Sequence, residues 1–167
     1  MFTPKRLSKE GVAAALAKAE RYRLLNEPWE AESICRDVLD VDPENQGAVV
    51  TLLLSLTDQF EEEPGADLAG TRALLPRLAD AYKREYYAGI ICERWAKRFF
   101  RRDVPGMGPV IYDWLRQAMV HYEEAERLRP PGEDDAILRW NTCARLILRH
   151  PHLRPGEARS APAIELE

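Results

Sequence analysis

Trp29-Glu-Ala-Glu-Ser-Ile-Cys-Arg-Asp-Val-Leu-Asp-Val-Asp-Pro43 and Leu115-Arg-Gln-Ala-Met-Val-His-Tyr-Glu-Glu-Ala-Glu-Arg-Leu-Arg-Pro130 can be laid on each other. Ala31, Cys35, Val38, Val41 and Pro43 in the first fall at i, i+4, i+7, i+10 and i+12. Ala118, Tyr122, Ala125, Leu128 and Pro130 repeat that spacing in the second. The first four positions share one face of a helix, and the proline ends it. Each stretch therefore reads as the second helix of a two-helix unit.

Both stretches resemble the B helix of the tetratricopeptide repeat, a helix–turn–helix unit of about 34 residues. The resemblance continues upstream. Ala19 and Tyr22 stand at the small and aromatic positions of the preceding A helix, without a gap. Trp95, Ala96 and Phe99 carry the large, small and aromatic pattern of a later A helix. They lie too far from Ala118, so the glycines and prolines of Arg102–Pro109 read as an inserted loop. The resemblance, to a divergent bacterial-type member of the family, implies an all-α fold. It would be a short right-handed helical-repeat solenoid of about seven helices ending in a capping helix.

The chain of 167 residues is 46% apolar, enough for one domain with a sizeable core. No long stretch alternates apolar and polar residues, so strand signals are nearly absent. Ser8 is placed to cap a first helix to about Leu25, and Asn26-Glu-Pro28 makes a turn. The second helix ends at Asp42-Pro43, and Asn45 caps a third over Ala48 to Thr57. Asp58 to Gly65 reads as an acidic loop. A fourth helix, about Asp67 to Glu85, is expected to kink at Pro76. The remaining helices run from Tyr87 to Arg101, Pro109 to Arg129 and Ala136 to Arg149. The domain is placed at residues 1–150. Residues 151–167, rich in proline, alanine and charge, read as a mobile tail.

The net charge is −4, with a pI near 5.5, which argues against general nucleic-acid binding. No apolar run reaches the ~18 residues of a membrane span. Cys35, Cys92 and Cys143 are widely separated and lack metal-ligand spacing, so they read as reduced core thiols in a cytoplasmic protein. His121, His150 and His152 have no nucleophile or carboxylate at a catalytic spacing. Gly106 and Gly108 lack the strand and the Gly-Lys-Ser/Thr of a phosphate loop. Trp29, Trp95, Trp114 and Trp140 read as core. No catalytic residue, cofactor or metal site is expected.

The resemblance implies binding rather than chemistry, in a concave groove lined by A helices. The family's inward positions bring Leu16, Glu20 and Arg23 from the first unit, and Leu54, Thr57 and Asp58 from the third helix. The later helices bring Glu93, Lys97, Arg101 and Arg145, with Arg94 and Arg139 beside them. Glu20 and Thr51 occupy the two positions where some family members carry the asparagines of a carboxylate clamp, and Glu20 would repel a terminal carboxylate. Chaperone-tail binding of that kind is therefore not expected.

Lys83–Arg102 holds seven cations against two acids. Such a stretch is either a solvated face with local ion pairs or a surface for an acidic ligand. The leading expectation is an adaptor that holds a peptide or partner helix in its groove, with an acidic ligand at the basic half. The alternatives are a self-associating assembly subunit and an RNA-associated helical-repeat protein. The tail motif Ala163-Ile-Glu-Leu-Glu167 is a candidate to dock in a basic groove, its own or a neighbour's, and the cap helix is a second route to a homo-oligomer.

Overall fold

The computed structural model describes residues 2–61 and 67–156, and within them every regular element is helical. The α-helices are α1 (Val12–Leu24), α2 (Pro28–Val41), α3 (Gln46–Asp58), α4 (Leu68–Arg72), α5 (Ala81–Arg101), α6 (Gly108–Leu128) and α7 (Asp135–Arg149). The expected acidic tip and tail motif, residues 62–66 and 157–167, lie outside the described residues.

Local chemistry sets most of these boundaries. Asn26 takes a left-handed conformation (φ 61°), which ends α1, and Pro28 then opens α2 at its first turn. The Asn45 side chain accepts from the Ala48 N–H at 2.9 Å and caps α3. Asp80 caps α5 through the Tyr82 N–H at 2.9 Å. Ser8 caps a single 3₁₀ turn, Lys9–Gly11, that leads into α1.

The long fourth helix does not form. Leu68–Arg72 is followed by a 3₁₀ turn at Leu75–Arg77 and by extended backbone at Leu78. Pro76 has no N–H to give a helix and sits in the first turn of the 3₁₀ segment. Leu74 and Leu78 are both buried, so their i, i+4 spacing serves the core without a helix between them. In consequence α5 starts at Ala81 and not at Tyr87. The acidic stretch is also shorter than expected, because Asp58 is the last residue of α3 and Gln59–Glu61 is a 3₁₀ turn.

Consecutive helices pack as antiparallel neighbours: α1 on α2, α2 on α3, α5 on α6 and α6 on α7. Two buried clusters result. One gathers Ala19, Ala31, Cys35, Val38, Leu52, Leu53, Phe60 and Leu78. The other gathers Ile90, Cys92, Ala96, Leu115, Ala118, Tyr122, Ala125 and Cys143. α5 serves both, since Ile91 belongs to the first cluster, and Leu54 and Tyr87 touch the two.

The repeated faces hold for three of their four apolar positions. Ala31, Cys35, Val38, Ala118, Tyr122 and Ala125 are buried, whereas Val41 is half-buried and Leu128 is exposed. Trp29 is 44% exposed, against the expected core position, because it stands on the outer side of the first turn of α2. Leu153, past the expected boundary at 150, is buried in the second cluster.

Candidate functional site

α5 repeats Glu93, Lys97 and Arg101 at i, i+4 and i+8, so the three stand on one face, with Arg94 alongside. That face looks onto the C-terminal ends of α1 and α3 and the side of α7. Between them is a polar cleft of about 510 Å³, to which Arg23, Asn26, Thr57, Asp58, Glu61 and Arg139 also contribute. Five cations meet three carboxylates there.

Each carboxylate organises the cations around it. Asp58, at the end of α3, accepts from Arg23 Nε of α1 at 2.6 Å and from Arg94 Nη1 of α5. Arg94 Nη1 also reaches Thr57 Oγ1 at 2.6 Å and the Leu54 carbonyl at 3.3 Å. A cation at the last turn of α3 suits the negative end of that helix. Burial lowers the Arg94 pKa and the charge of Asp58 opposes this, so the guanidinium keeps its proton.

Glu93 is fully buried, with three donors around its carboxylate: Tyr122 Oη at 2.6 Å, Lys97 Nζ, and Arg139 Nη1 at 3.3 Å. A buried charge is tolerable only when it is paired and hydrogen-bonded. Burial pulls the Arg139 pKa down, but Glu93 and a hydrogen bond to Tyr86 raise it on balance. Burial, then Glu93 itself, pushes the Tyr122 phenol well above its ordinary value, so it stays a donor. Arg101, on the rim, pairs with Glu61 and is 62% exposed at its side chain.

Six expected site residues thus meet in one cleft: Arg23, Glu93, Arg94, Lys97, Arg101 and Arg139. Leu54 lies half-buried beneath it and lends its carbonyl. Leu16 packs over Gly47 of α3, away from the cleft, and Glu20 and Arg145 are exposed and outside its lining. Asp58 and Glu61 were legible only as inward or acidic positions, and nothing in the sequence marks Tyr122 as the partner of Glu93.

The basic stretch of α5 divides between roles. Arg84 donates to the carbonyls of Leu78 and Ala79, and Arg98 is buried with its guanidinium 4.8 Å from the Trp95 ring centre. Only Arg94, Lys97 and Arg101 turn to the cleft. The connection from α5 to α6 packs elsewhere. With Phe100, Ile111, His152 and Arg154 it lines a separate cavity of about 420 Å³. The three cysteines are free and buried, and burial pushes the thiols of Cys35 and Cys143 up to about 12, where they are poor nucleophiles.

Among the described residues no group of histidine, cysteine, aspartate and glutamate is arranged to hold a metal ion. No helix there is long and apolar enough to cross a membrane. No protein-family model matches the chain, and neither a curated protein nor a solved structure does.

Proposed function

We propose that this chain is a non-enzymatic binding module, a tetratricopeptide-like helical-repeat solenoid whose cleft receives an acidic segment of a protein partner. The observation that carries this reading is the charge count in the cleft. Five cations from three helices are held in place by three carboxylates, two of which are each shared between two cations. The surplus is positive and the side chains are fixed before a ligand arrives. Preorganisation of this kind lowers the ordering cost of binding. Guanidinium groups offer planar forked donors suited to carboxylates. The same three carboxylates disfavour the alternating phosphates of RNA, which require a continuous basic track.

The test is fluorescence anisotropy with a labelled peptide of alternating glutamate and leucine, beside its glutamine–leucine counterpart. The acidic peptide is expected to bind at least ~10-fold more tightly, a difference of about 1.4 kcal/mol. Arg101→Glu should weaken it while the thermal midpoint stays within a few degrees. Arg101 is the suitable position because it is exposed. Reversing Lys97 would strand the buried Glu93, and loss of fold would then mimic loss of binding. Equal affinity for the two peptides, or no binding of either, would sink the proposal.

A further inference from the structure

We infer that the acidic group the cleft takes from its partner is a phosphorylated side chain, a phosphomonoester gripped from three helices by Arg23, Arg94 and Arg139. This rests on the proposal that the cleft binds an acidic segment, and it names the anion within that segment.

Three observations converge on it. The first is which donors are already used. Arg23 reaches Asp58 through Nε alone, so its two Nη groups, the forked end, have no partner among the described residues. Arg94 makes its bonds to Leu54, Thr57 and Asp58 through Nη1, which leaves Nε and Nη2 without a partner there. None of these spare nitrogens is shut off from water, and both side chains line the cleft. Lys97 Nζ gives one bond to Glu93 and has two further hydrogens.

The second is depth. Glu93 is fully buried, whereas the side chains of Lys97 and Arg139 that pair with it are 23% and 36% exposed. An entering anion therefore meets these cations before it meets the carboxylate that holds them.

The third is crowding of like charge. Burial lowers the proton affinity of Arg94, Asp58 opposes this, and the charges of Arg23 and Arg139 lower it further. Arg23 belongs to α1, Arg94 to α5 and Arg139 to α7, so three helices bring guanidinium groups within electrostatic reach of one another. An anion between them relieves that repulsion.

These features select among anions. A carboxylate has one charge and two oxygens in a plane, and a single guanidinium fork satisfies it. A phosphomonoester carries about −1.5 to −2 charges at pH 7 and three strong acceptor oxygens that point in different directions. Spare donors on separate helices, with two more cations than carboxylates, suit the second. The phosphodiester of a nucleic acid has one charge and two free oxygens, so it uses fewer of these donors.

The experiment is fluorescence anisotropy with the full chain. The probe is the glutamate–leucine peptide with its central glutamate replaced by phosphoserine, beside the unmodified peptide, and inorganic phosphate is the competitor. At pH 7.5 the phosphopeptide is expected to bind at least ~10-fold more tightly than the glutamate peptide. That advantage should shrink between pH 7.5 and 5.5, because the phosphate takes up its second proton near pH 6. The acids that would face it are Asp58 from α3, Glu61 from the turn after it and Glu93 from α5, and no histidine lines the cleft. Arg23→Lys keeps a charge opposite Asp58 and removes the forked end. It should lose most of the phosphopeptide advantage, bind the glutamate peptide about as before and melt within a few degrees of the wild type. If Arg23→Lys fails to fold, the pH dependence of the wild type decides alone. Equal binding of the two peptides at pH 7.5 would overturn the phosphate assignment and leave acidic-peptide binding standing. No binding of either would remove both proposals. Displacement of the phosphopeptide by an equal concentration of inorganic phosphate would make the ligand a free phosphate and overturn its place on a partner's segment.

Discussion

The phenol of Tyr122 on α6 donates to the carboxylate of Glu93 on α5 across 2.6 Å, and both side chains are shut off from water. This bond joins the core of the second helical group to the cleft, because the same carboxylate holds Lys97 and Arg139. Tyr122→Phe keeps the ring and removes the donor. A hydrogen bond to a charged group contributes about 1.5–3 kcal/mol, and a buried acceptor left short of donors bears the full loss. Urea unfolding should show that loss with an unchanged denaturant slope. A change under 0.5 kcal/mol would mean that Lys97 and Arg139 satisfy Glu93 without the phenol.

Gly89 sits on α5 where the Tyr122 ring crosses it, and a Cβ at that position would overlap the ring. Two effects oppose each other in Gly89→Ala. Helix propensity favours alanine by up to about 1 kcal/mol. The overlap is with a ring that Glu93 holds from its far end, so the clash cannot relax by a side-chain swing, and overpacking costs about 1–3 kcal/mol. The clash should win, and the variant should melt several degrees lower. A stabilised variant would show that α5 and α6 can part at this point.

Ala31 lies at 0% exposure between α1 and α2, while Trp29, two residues earlier, is 44% exposed. Ala31→Trp should cost more than ~3 kcal/mol or unfold the first helical group, since nothing there can make room for an indole. Trp29→Ala should shift stability by no more than about 0.5 kcal/mol. Thermal unfolding of the two variants tests the face assigned to α2. The reverse ranking would mean that this face is turned by two residues.

These three positions show what the sequence can carry. The spacing Ala31, Cys35, Val38 and its copy Ala118, Tyr122, Ala125 identified buried faces, because burial on a helix follows a period the sequence displays. The cations of the cleft were legible for the same reason, as Lys97 and Arg101 share an α5 face. Periodicity was silent where a non-helical backbone delivers the same spacing, as Leu74 and Leu78 do across Pro76. It was also silent on pairing across the chain. Glu93 reads as one acid among many cations, and only a tyrosine 29 residues away makes it a buried hub. Likewise Asp58 reads as the start of an acidic loop until Arg23 and Arg94 close on it from two other helices.

The cysteines give the chain an alkaline limit whose sign can be worked out. Burial first, then the nearby charge of Glu20, raises the Cys35 thiol from 9.0 to about 12, and burial with Glu93 does the same at Cys143. Below pH 9 both thiols are protonated whether the chain is folded or not, so their contribution to stability is fully present. Between about pH 9 and 12 the unfolded chain releases these protons and the folded chain keeps them. The unfolded state then binds fewer protons, and stability falls as pH rises, on the order of 1 kcal/mol per pH unit and thiol. Urea midpoints measured under reducing conditions should therefore drop between pH 8.5 and 10.5. The drop should be smaller in Cys35→Ala/Cys143→Ala, although the buried phenols of Tyr82 and Tyr122, also raised, leave part of it in place. If the double variant falls as steeply as the wild type, the thiols are not sealed in the two cores, and the packing of α2 and α7 against their neighbours is looser than their burial requires.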